Sequence, residues 1–290
     1  MTRIERIGET IDLLGEGPLW DVEEQALYWV DTRGARIHRL DWATGERRDF
    51  SVPDMIGSMA LRRGGGAIVA LRNGVHTFDF GTGEATLVSD PESADPSTRF
   101  NDGKVDRQGR FLTGTMQTRI GREPRGSIYR LDPDLSLHRL KGDVLVANGP
   151  CFSPDGETFY FADTGRRAIF AYDYDTSTGA IGEERVAVDT NPFDSGPDGG
   201  TVDRDGFLWS ALVHAGRIAR FAPDGTLDRL IEMPCSRPAS VMFGGPDLDI
   251  AFVPSIRDSG NVRGDRPIDG ALFAVHGLGV TGLPESRFAG

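Results

Sequence analysis

Cysteine is scarce in this chain, which has only Cys151 and Cys235 among its 290 residues. Two cysteines cannot form the disulfide framework of a small secreted domain, so the fold must depend on a buried apolar core. Long apolar runs are also missing. No stretch approaches the ~20 residues that cross a bilayer, and the first residues lack the apolar segment of a secretion signal. We therefore expect a cytoplasmic protein.

Positive charge is in short supply as well. The chain has 32 Lys and Arg against 44 Asp and Glu, a net charge of -12. Such a surface repels phosphates, so neither nucleic acid nor an anionic membrane is an expected partner. What the chain has in abundance is turn-forming residues, with 38 Gly and 17 Pro. This composition predicts many short strands, but it gives no indication of the oligomeric state.

One sequence pattern recurs along the chain. From Asn148 it predicts a short strand, a Pro-Asp-Gly turn at 154–156 and a second apolar strand. The same pattern begins at Asn101 and at Asp198, and in all three copies the turn glycine lies eight residues after the opening residue. Less regular copies complete a series that opens at Glu16, Ile56, Asn101, Asn148, Asp198 and Pro238.

The spacing of these copies predicts the architecture. Successive openings are 40, 45, 47, 50 and 40 residues apart. A period of about 40 to 50 residues with four strands per unit is typical of a β-propeller, so we predict an all-β, six-bladed β-propeller. No linker divides the chain, which predicts a single domain over 1–290. The sixth copy lacks a fourth strand, and the segment 4–13 is expected to supply it and close the ring.

The opening residues are expected to surround one mouth of the central channel, because the innermost strand of each blade starts there. Glu16, Asn101, Asn148 and Asp198 would place oxygen atoms at that mouth, and such ligands suit a hard divalent cation. Each residue alone is more often a turn residue bonded to local backbone, but four in one register favour a shared site. A separate set of turn aspartates is expected to be structural: Asp102, Asp106, Asp155, Asp203 and Asp247.

The loops at the same mouth are rich in arginine. Arg119 is one of this group, and His214 lies in an equivalent loop. A subset of these cations could bind an anionic or hydroxyl-rich substrate, while the alternative is that they face water and pair with nearby acids. His214 could bind a ligand or be merely exposed. Cys151 is expected to be a core residue, since no histidine is in register with it.

Several short motifs together resemble the SMP-30/gluconolactonase family, also called regucalcin-like. They are GEGPLW at 15–20, RFNDGKVD at 99–106, GTM at 114–116, NGP at 148–150, PDG at 197–199, FGGPDL at 243–248 and GLGVTG at 277–282. The resemblance implies a six-bladed fold with one divalent cation, whether Ca, Mg, Mn, Zn or Fe(II). It also implies Glu16, Asn148 and Asp198 as metal ligands, Arg99 and Asn101 as substrate contacts, and Asp198 as the base.

The resemblance implies a metal-dependent lactonase that opens a sugar lactone to its aldonic acid. One departure concerns the substrate: some relatives carry acidic residues after Gly-Thr-Met, whereas this chain has Gln117, Thr118 and Arg119. Arg119 and His214 are therefore added as candidate substrate contacts, and an anionic substituent on the lactone is one hypothesis. Two alternatives stay open at this point: a calcium-dependent phosphotriesterase-like hydrolase and a non-catalytic calcium-binding propeller.

Overall fold

The computed structural model describes residues 2–290, which form six antiparallel sheets of four strands each. The chain begins with β1 (Arg3–Ile7), which belongs to the last sheet. The strands, blade by blade, are: blade 1, β2 (Gly15–Asp21), β3 (Ala26–Asp31), β4 (Arg36–Asp41) and β5 (Arg47–Ser51); blade 2, β6 (Ile56–Leu61), β7 (Ala67–Leu71), β8 (Gly74–Phe78) and β9 (Ala85–Ser89); blade 3, β10 (Thr98–Val105), β11 (Phe111–Gln117), β12 (Gly126–Leu131) and β13 (Leu137–Val144); blade 4, β14 (Ala147–Phe152), β15 (Thr158–Asp163), β16 (Ala168–Asp173) and β17 (Arg185–Asp189); blade 5, β18 (Pro197–Val202), β19 (Leu208–Leu212), β20 (Arg217–Phe221) and β21 (Leu227–Glu232); blade 6, β22 (Met242–Gly244), β23 (Ile250–Val253), β24 (Leu272–His276) and β1.

The blades are arranged as a ring. The first strand of each blade contacts the first strand of the next, in the cyclic order β2, β6, β10, β14, β18, β22 and back to β2. The six-bladed β-propeller predicted from the repeats is thus confirmed. Two short 3₁₀ turns, Thr164–Arg166 and Asn191–Phe193, are the helical elements of residues 2–290, and neither is long or apolar enough to cross a membrane.

The N-terminal strand closes the ring, as predicted. β1 pairs antiparallel with β24 from Arg3↔His276 to Ile7↔Leu272, which makes it the fourth strand of blade 6. The first and last thirds of the sequence are thereby joined by backbone hydrogen bonds. Separation of blade 6 from blade 1 would require breaking this pairing.

The beginning of blade 6 differs from the prediction. β22 begins at Met242, four residues beyond the predicted opening at Pro238, which forms only an isolated bridge to Ser255. Pro238 has no backbone N–H to donate to a ladder, although proline can open a strand, as Pro197 does in β18. The chain around it still follows the strand path, since Ala239 N donates to Pro254 O and Ile256 N donates to Arg237 O.

The core lies between neighbouring blades. Each sheet has two apolar faces, and both are covered by the adjacent sheets. Between blades 5 and 6, the rings of Trp209 and Phe243 meet edge to face at 5.4 Å; between blades 1 and 6, Trp20 stacks on Phe252 at 6.0 Å. Cys151 is buried in the same kind of core between blades 4 and 5, as expected for a non-reactive residue, and burial raises the pKa of its thiol to about 12.

A β-bulge interrupts the innermost strand near its start in five of the blades. The register shifts occur between Glu16 and Leu19, Ile56 and Ser58, Phe100 and Gly103, Asn148 and Cys151, and Pro197 and Gly200. An extra residue in one strand bends it and redirects the side chains around it. The polar opening residues lie at these bulges, so the strands present them to the channel.

The last ten residues lie at the other mouth of the channel. The segment 281–290 crosses the face opposite to the strand starts and is fixed by contacts with several blades. Phe288 N donates to Leu61 O at 2.8 Å, Arg62 Nε donates to Gly290 O at 2.8 Å, and Lys104 Nζ lies 3.4 Å from Glu285 Oε1. The C-terminal segment is therefore attached to blades 2 and 3 at that end of the channel.

Candidate active site and cation site

The four polar opening residues meet in one cavity at the strand-start end of the channel. Glu16, Asn101, Asn148 and Asp198 all line it, and each is at most 9% exposed. The apolar opening residues, Ile56 and Pro238, do not line it. Four residues at equivalent positions in the repeats thus lie close together in the fold.

A hydrogen-bond network fixes the two amides. Asn101 Nδ2 donates to Asn148 Oδ1 at 2.7 Å and to Ala147 O at 2.7 Å. Asn148 Nδ2 donates to Thr164 Oγ1 at 2.8 Å, and that hydroxyl donates to Pro197 O at 2.7 Å. These bonds use both amide nitrogens and leave Asn148 Oδ1 with a free lone pair. Thr164 was not anticipated from the sequence; it follows β15 directly, which places it beside the start of blade 5.

The two carboxylates are enclosed by protein. Burial raises the pKa of Glu16 well above its usual value, and the negative charge of Asp198 raises it further, while Arg99 opposes the change. Burial likewise raises the pKa of Asp198. In residues 2–290 nothing donates a hydrogen bond to the buried Asp198 Oδ1. Two buried carboxylates at one place are costly unless a proton or a cation accompanies them.

These donors fit a divalent cation. Two carboxylates and one amide oxygen are the hard ligands that Ca²⁺ or Mg²⁺ takes, with waters free to complete the coordination. Asp198 Oδ1 accepts no hydrogen bond from the described residues, so it is free to bind a cation. Across residues 2–290, no group of three or more His, Cys, Asp or Glu side chains is placed to hold a metal ion. The third donor of this site, Asn148, is instead an amide.

Comparison with known proteins identifies the family. Residues 14–257 match the family model described as "SMP-30/Gluconolactonase/LRE-like region". The chain belongs to this family. It is 38% identical to 6-deoxy-6-sulfogluconolactonase of Pseudomonas putida over 96% of both chains, and 34% identical to the pentonolactonase XacC of Haloferax volcanii over 98% of this chain and 97% of that protein. The solved structure of regucalcin from Agrobacterium tumefaciens, described as a calcium-binding protein, superposes with a TM-score of 0.89 at 30% identity, covering 98% of this chain and 96% of that one.

Arg99 is the cation at the floor of the cavity in this member of the SMP-30/gluconolactonase/LRE-like family. It is 5% exposed, and its Nη1 donates to Phe100 O at 2.9 Å and to Asn101 Oδ1 at 2.6 Å. Burial lowers the pKa of its guanidinium to about 10, against the opposing charges of Glu16 and Asp198. Arg99 therefore stays charged at neutral pH and is held in one orientation.

Asp102 is not a turn residue, contrary to the prediction from the sequence. It lies within β10, at the bulge, and lines the channel just below the floor of the cavity. Its Oδ2 accepts a hydrogen bond from Gly149 N at 2.9 Å and its Oδ1 accepts one from Gly103 N at 2.8 Å. Burial raises the pKa of Asp102 to about 6. Asp106 and Asp203 do bind turn backbone, as predicted.

The two outer candidates occupy different positions. His214 lines the cavity at its rim, and its Nδ1 accepts a hydrogen bond from Gly196 N at 3.3 Å, so its ring proton is on Nε2. Partial burial, with the charges of Arg237 and Arg167, lowers the pKa of His214 and keeps it neutral. Arg119 is exposed and does not line the cavity, although its neighbour Ile120 does.

Most arginines of the mouth loops have acidic partners. Ion pairs join Arg33 to Asp258, Arg125 to Asp95, Arg166 to Glu184, Arg167 to Asp194 and Arg263 to Asp258. These are solvated surface pairs, and Arg99 is the only arginine or lysine of residues 2–290 that lines the cavity. Among the described residues, Arg99 therefore supplies the positive charge inside the cavity.

Proposed function

We propose that this protein hydrolyses a sugar lactone to the open-chain aldonic acid with the help of one divalent cation. The observation that carries the proposal is the convergence of two buried carboxylates and an amide oxygen, with Asp198 Oδ1 unpaired, in one cavity. Two full-length relatives are named as lactonases, and a third protein of the same fold is described as calcium-binding. Both properties are consistent with these donors.

Glu16, Asn148 and Asp198 would hold the cation, which when bound would supply Lewis-acid polarisation of the lactone carbonyl. Asp198 would act as the base. One oxygen of its carboxylate would bind the cation, and the other would accept a proton from the water that attacks the carbonyl carbon. The bond between that carbon and the ring oxygen then breaks, and the ring oxygen takes up the proton to become the new hydroxyl.

Arg99 and Asn101 would position the substrate. The guanidinium of Arg99 is locked by two acceptors, and the amide of Asn101 is locked by Asn148 and Ala147 O. Groups held this rigidly lose little entropy when a substrate binds, and they can face the negative charge that develops on the carbonyl oxygen. His214 Nε2 at the rim is a further donor to a substrate hydroxyl.

The test is acid release from a panel of aldonolactones by metal-free protein supplied with Mg, Mn, Ca, Zn or Fe(II). We expect Asp198→Asn to lower kcat by about 10²–10⁴-fold, the usual contribution of a general base. Asn101→Ala should cost less, about tenfold, because Asn101 only positions substrate. Equal losses for the two variants would contradict this division of roles.

Two controls separate the rival functions. Hydrolysis of an organophosphate triester without lactone hydrolysis would assign the site to phosphotriester chemistry. Cation binding measured by calorimetry, with no turnover of either substrate class under any metal, would leave a non-catalytic calcium-binding propeller. Circular dichroism of each variant shows whether a loss of activity reflects loss of the fold.

A further inference from the structure

Five aliphatic side chains form a collar above the polar floor of the cavity. They are Leu14, Met116, Val146, Val213 and Ile256; all line the cavity, and each is 3% exposed. They come from blades 1, 3, 4, 5 and 6 at one depth, and backbone bridges Leu14↔Ile256 and Met116↔Val146 join them across neighbouring blades. A substrate that reaches Glu16 and Asp198 must pass through this aliphatic collar.

The wall above the collar is formed by Ile120, Ser259, Asn261 and Val262, and it offers few free hydrogen-bonding groups. Asn261 has its Oδ1 bonded to Ile120 N and its Nδ2 bonded to Thr118 O, both at 3.1 Å, so loops from the opposite blades 3 and 6 meet over the cavity. Ser259 Oγ accepts from Val262 N at 2.9 Å and donates to Val262 O at 3.3 Å. These bonds use one N–H and one lone pair of Asn261 and the hydroxyl hydrogen of Ser259 to hold the loops together.

Charge is also absent from this wall. Arg99 starts at the depth of the collar, where it pairs with Met116, but its guanidinium is directed to the floor, where it donates to Asn101 Oδ1. No other lysine or arginine of residues 2–290 lines the cavity. The loop arginines nearest to Ile120, Arg119 and Arg122, are exposed. An anionic group buried among the collar side chains would lose its hydration without gaining an ion pair from them, and a hydroxyl there would find polar partners only higher up, at His214 and Asn261.

We propose that the lactone bound at this site ends in an apolar group. A 6-deoxyaldonolactone, in which C6 is a methyl group, is then preferred over the lactones in which C6 is a hydroxymethyl group or carries an anionic group. The inference rests on the proposed lactone hydrolysis, in which the carbonyl faces the floor. In the proposed pose the ring hydroxyls face Arg99, Asn101 and His214, and the exocyclic carbon lies against the collar. A methyl group fills that space without leaving a polar atom unpaired.

The experiment compares kcat/KM for four lactones that differ only at C6: 6-deoxy-D-glucono-1,5-lactone, D-glucono-1,5-lactone, its 6-phosphate and its 6-deoxy-6-sulfo analogue. The protein carries the cation that gives the highest activity in the lactone panel. We expect the methyl compound to be favoured over the hydroxymethyl compound by about 10- to 100-fold, the range in which apolar pockets discriminate against one hydroxyl. Equal or higher kcat/KM for the hydroxymethyl, phospho or sulfo lactone overturns the inference and leaves lactone hydrolysis standing. Absence of turnover for every lactone overturns both.

Val213→Thr tests the collar directly, because threonine keeps the shape of valine and adds one hydroxyl. We expect the methyl-to-hydroxymethyl ratio to fall by about tenfold. Val188→Thr is the matched control: Val188 is also 3% exposed but lies in β17, in the core between blades 4 and 5, away from the cavity. The ratio should be unchanged in that variant. A ratio that is unaffected by Val213→Thr, or that shifts equally in the control, contradicts the role of the collar.

Discussion

At the scale of single residues, position in the repeat was the main predictor of which polar residues line the cavity. Asn101, Asn148 and Asp198 share a register, and the structure places their side chains in one cavity with Glu16. Asp102 could not be assigned in the same way. A period-two pattern predicts that successive residues face opposite sides, whereas the bulge after Phe100 turns Asp102 towards the channel as well.

Asp102 is predicted to position the cation site. As a carboxylate it accepts hydrogen bonds from both Gly149 N and Gly103 N, and the first of these fixes the backbone next to Asn148. In Asp102→Asn the amide has one acceptor oxygen for two N–H donors. We expect the dissociation constant of the cation, measured by calorimetry, to rise by about 10-fold or more, as is usual when a group that orients a ligand is lost.

The control for Asp102→Asn is Asp155→Asn. Asp155 is an exposed turn residue of blade 4 that accepts a hydrogen bond from Glu157 N at 3.0 Å. The same substitution there should leave cation affinity unchanged. Equal affinities for the two variants would show that Asp102 has no positioning role.

At the scale of elements, apolar runs separated by glycine turns were sufficient to predict the strands. The bulges were not predictable in this way, because a bulge depends on which backbone groups pair across two strands. Two of them depend on glycines with left-handed backbone, Gly17 at φ +51° and Gly149 at φ +49°. Each directly follows a proposed cation ligand, so these glycines determine how Glu16 and Asn148 enter the cavity.

The two glycines make a matched pair of substitutions. Alanine at either position costs about 1–2 kcal/mol for the left-handed backbone. At Gly17 the new Cβ would meet nothing nearer than Val30 Cγ2 at 3.8 Å, whereas at Gly149 it would lie 2.7 Å from the backbone oxygen of Asp198. We expect Gly149→Ala to weaken cation binding and lower the melting temperature markedly more than Gly17→Ala, as measured by calorimetry. Similar losses would mean that the backbone conformation, rather than the approach of blades 4 and 5, determines the effect.

At the scale of the whole molecule, the repeat spacing predicted the number of blades and the closure by β1. It could not predict the path of the segment 281–290, which has no strand periodicity and is fixed by isolated anchors. Phe288 is fully buried beneath blades 2 and 3, and Arg287 pairs with Asp21 at 2.6 Å. Such contacts depend on the assembled ring, so they leave no local signal in the sequence.

The junction between blades 6 and 1 contains a buried histidine. His38 of β4 is 1% exposed; its Nε2 lies 3.1 Å from Asp12 Oδ1 and its Nδ1 lies 2.8 Å from Asp49 Oδ1. Asp12 belongs to the segment that leads from β1 to β2, and its backbone N donates to Gly270 O of blade 6 at 2.8 Å. The imidazole of His38 therefore lies between Asp49 of blade 1 and Asp12 of the segment that closes the ring.

Stability is predicted to depend on pH through this histidine. Burial opposes charge on the ring and Arg47 does the same, but the contacts with Asp12 and Asp49 outweigh them and raise the pKa of His38 above 6.5. Because the pKa is raised in the folded state, the stabilisation is complete below about pH 6.5, the value of the unfolded chain, and is lost as the pH rises through the folded-state pKa. The free energy of unfolding of the wild type should therefore exceed that of His38→Gln most at pH 5.5–6 and by a decreasing margin towards pH 9, as measured by urea denaturation. A difference between wild type and His38→Gln that stays constant or grows with pH would show that His38 joins the blades as a neutral ring.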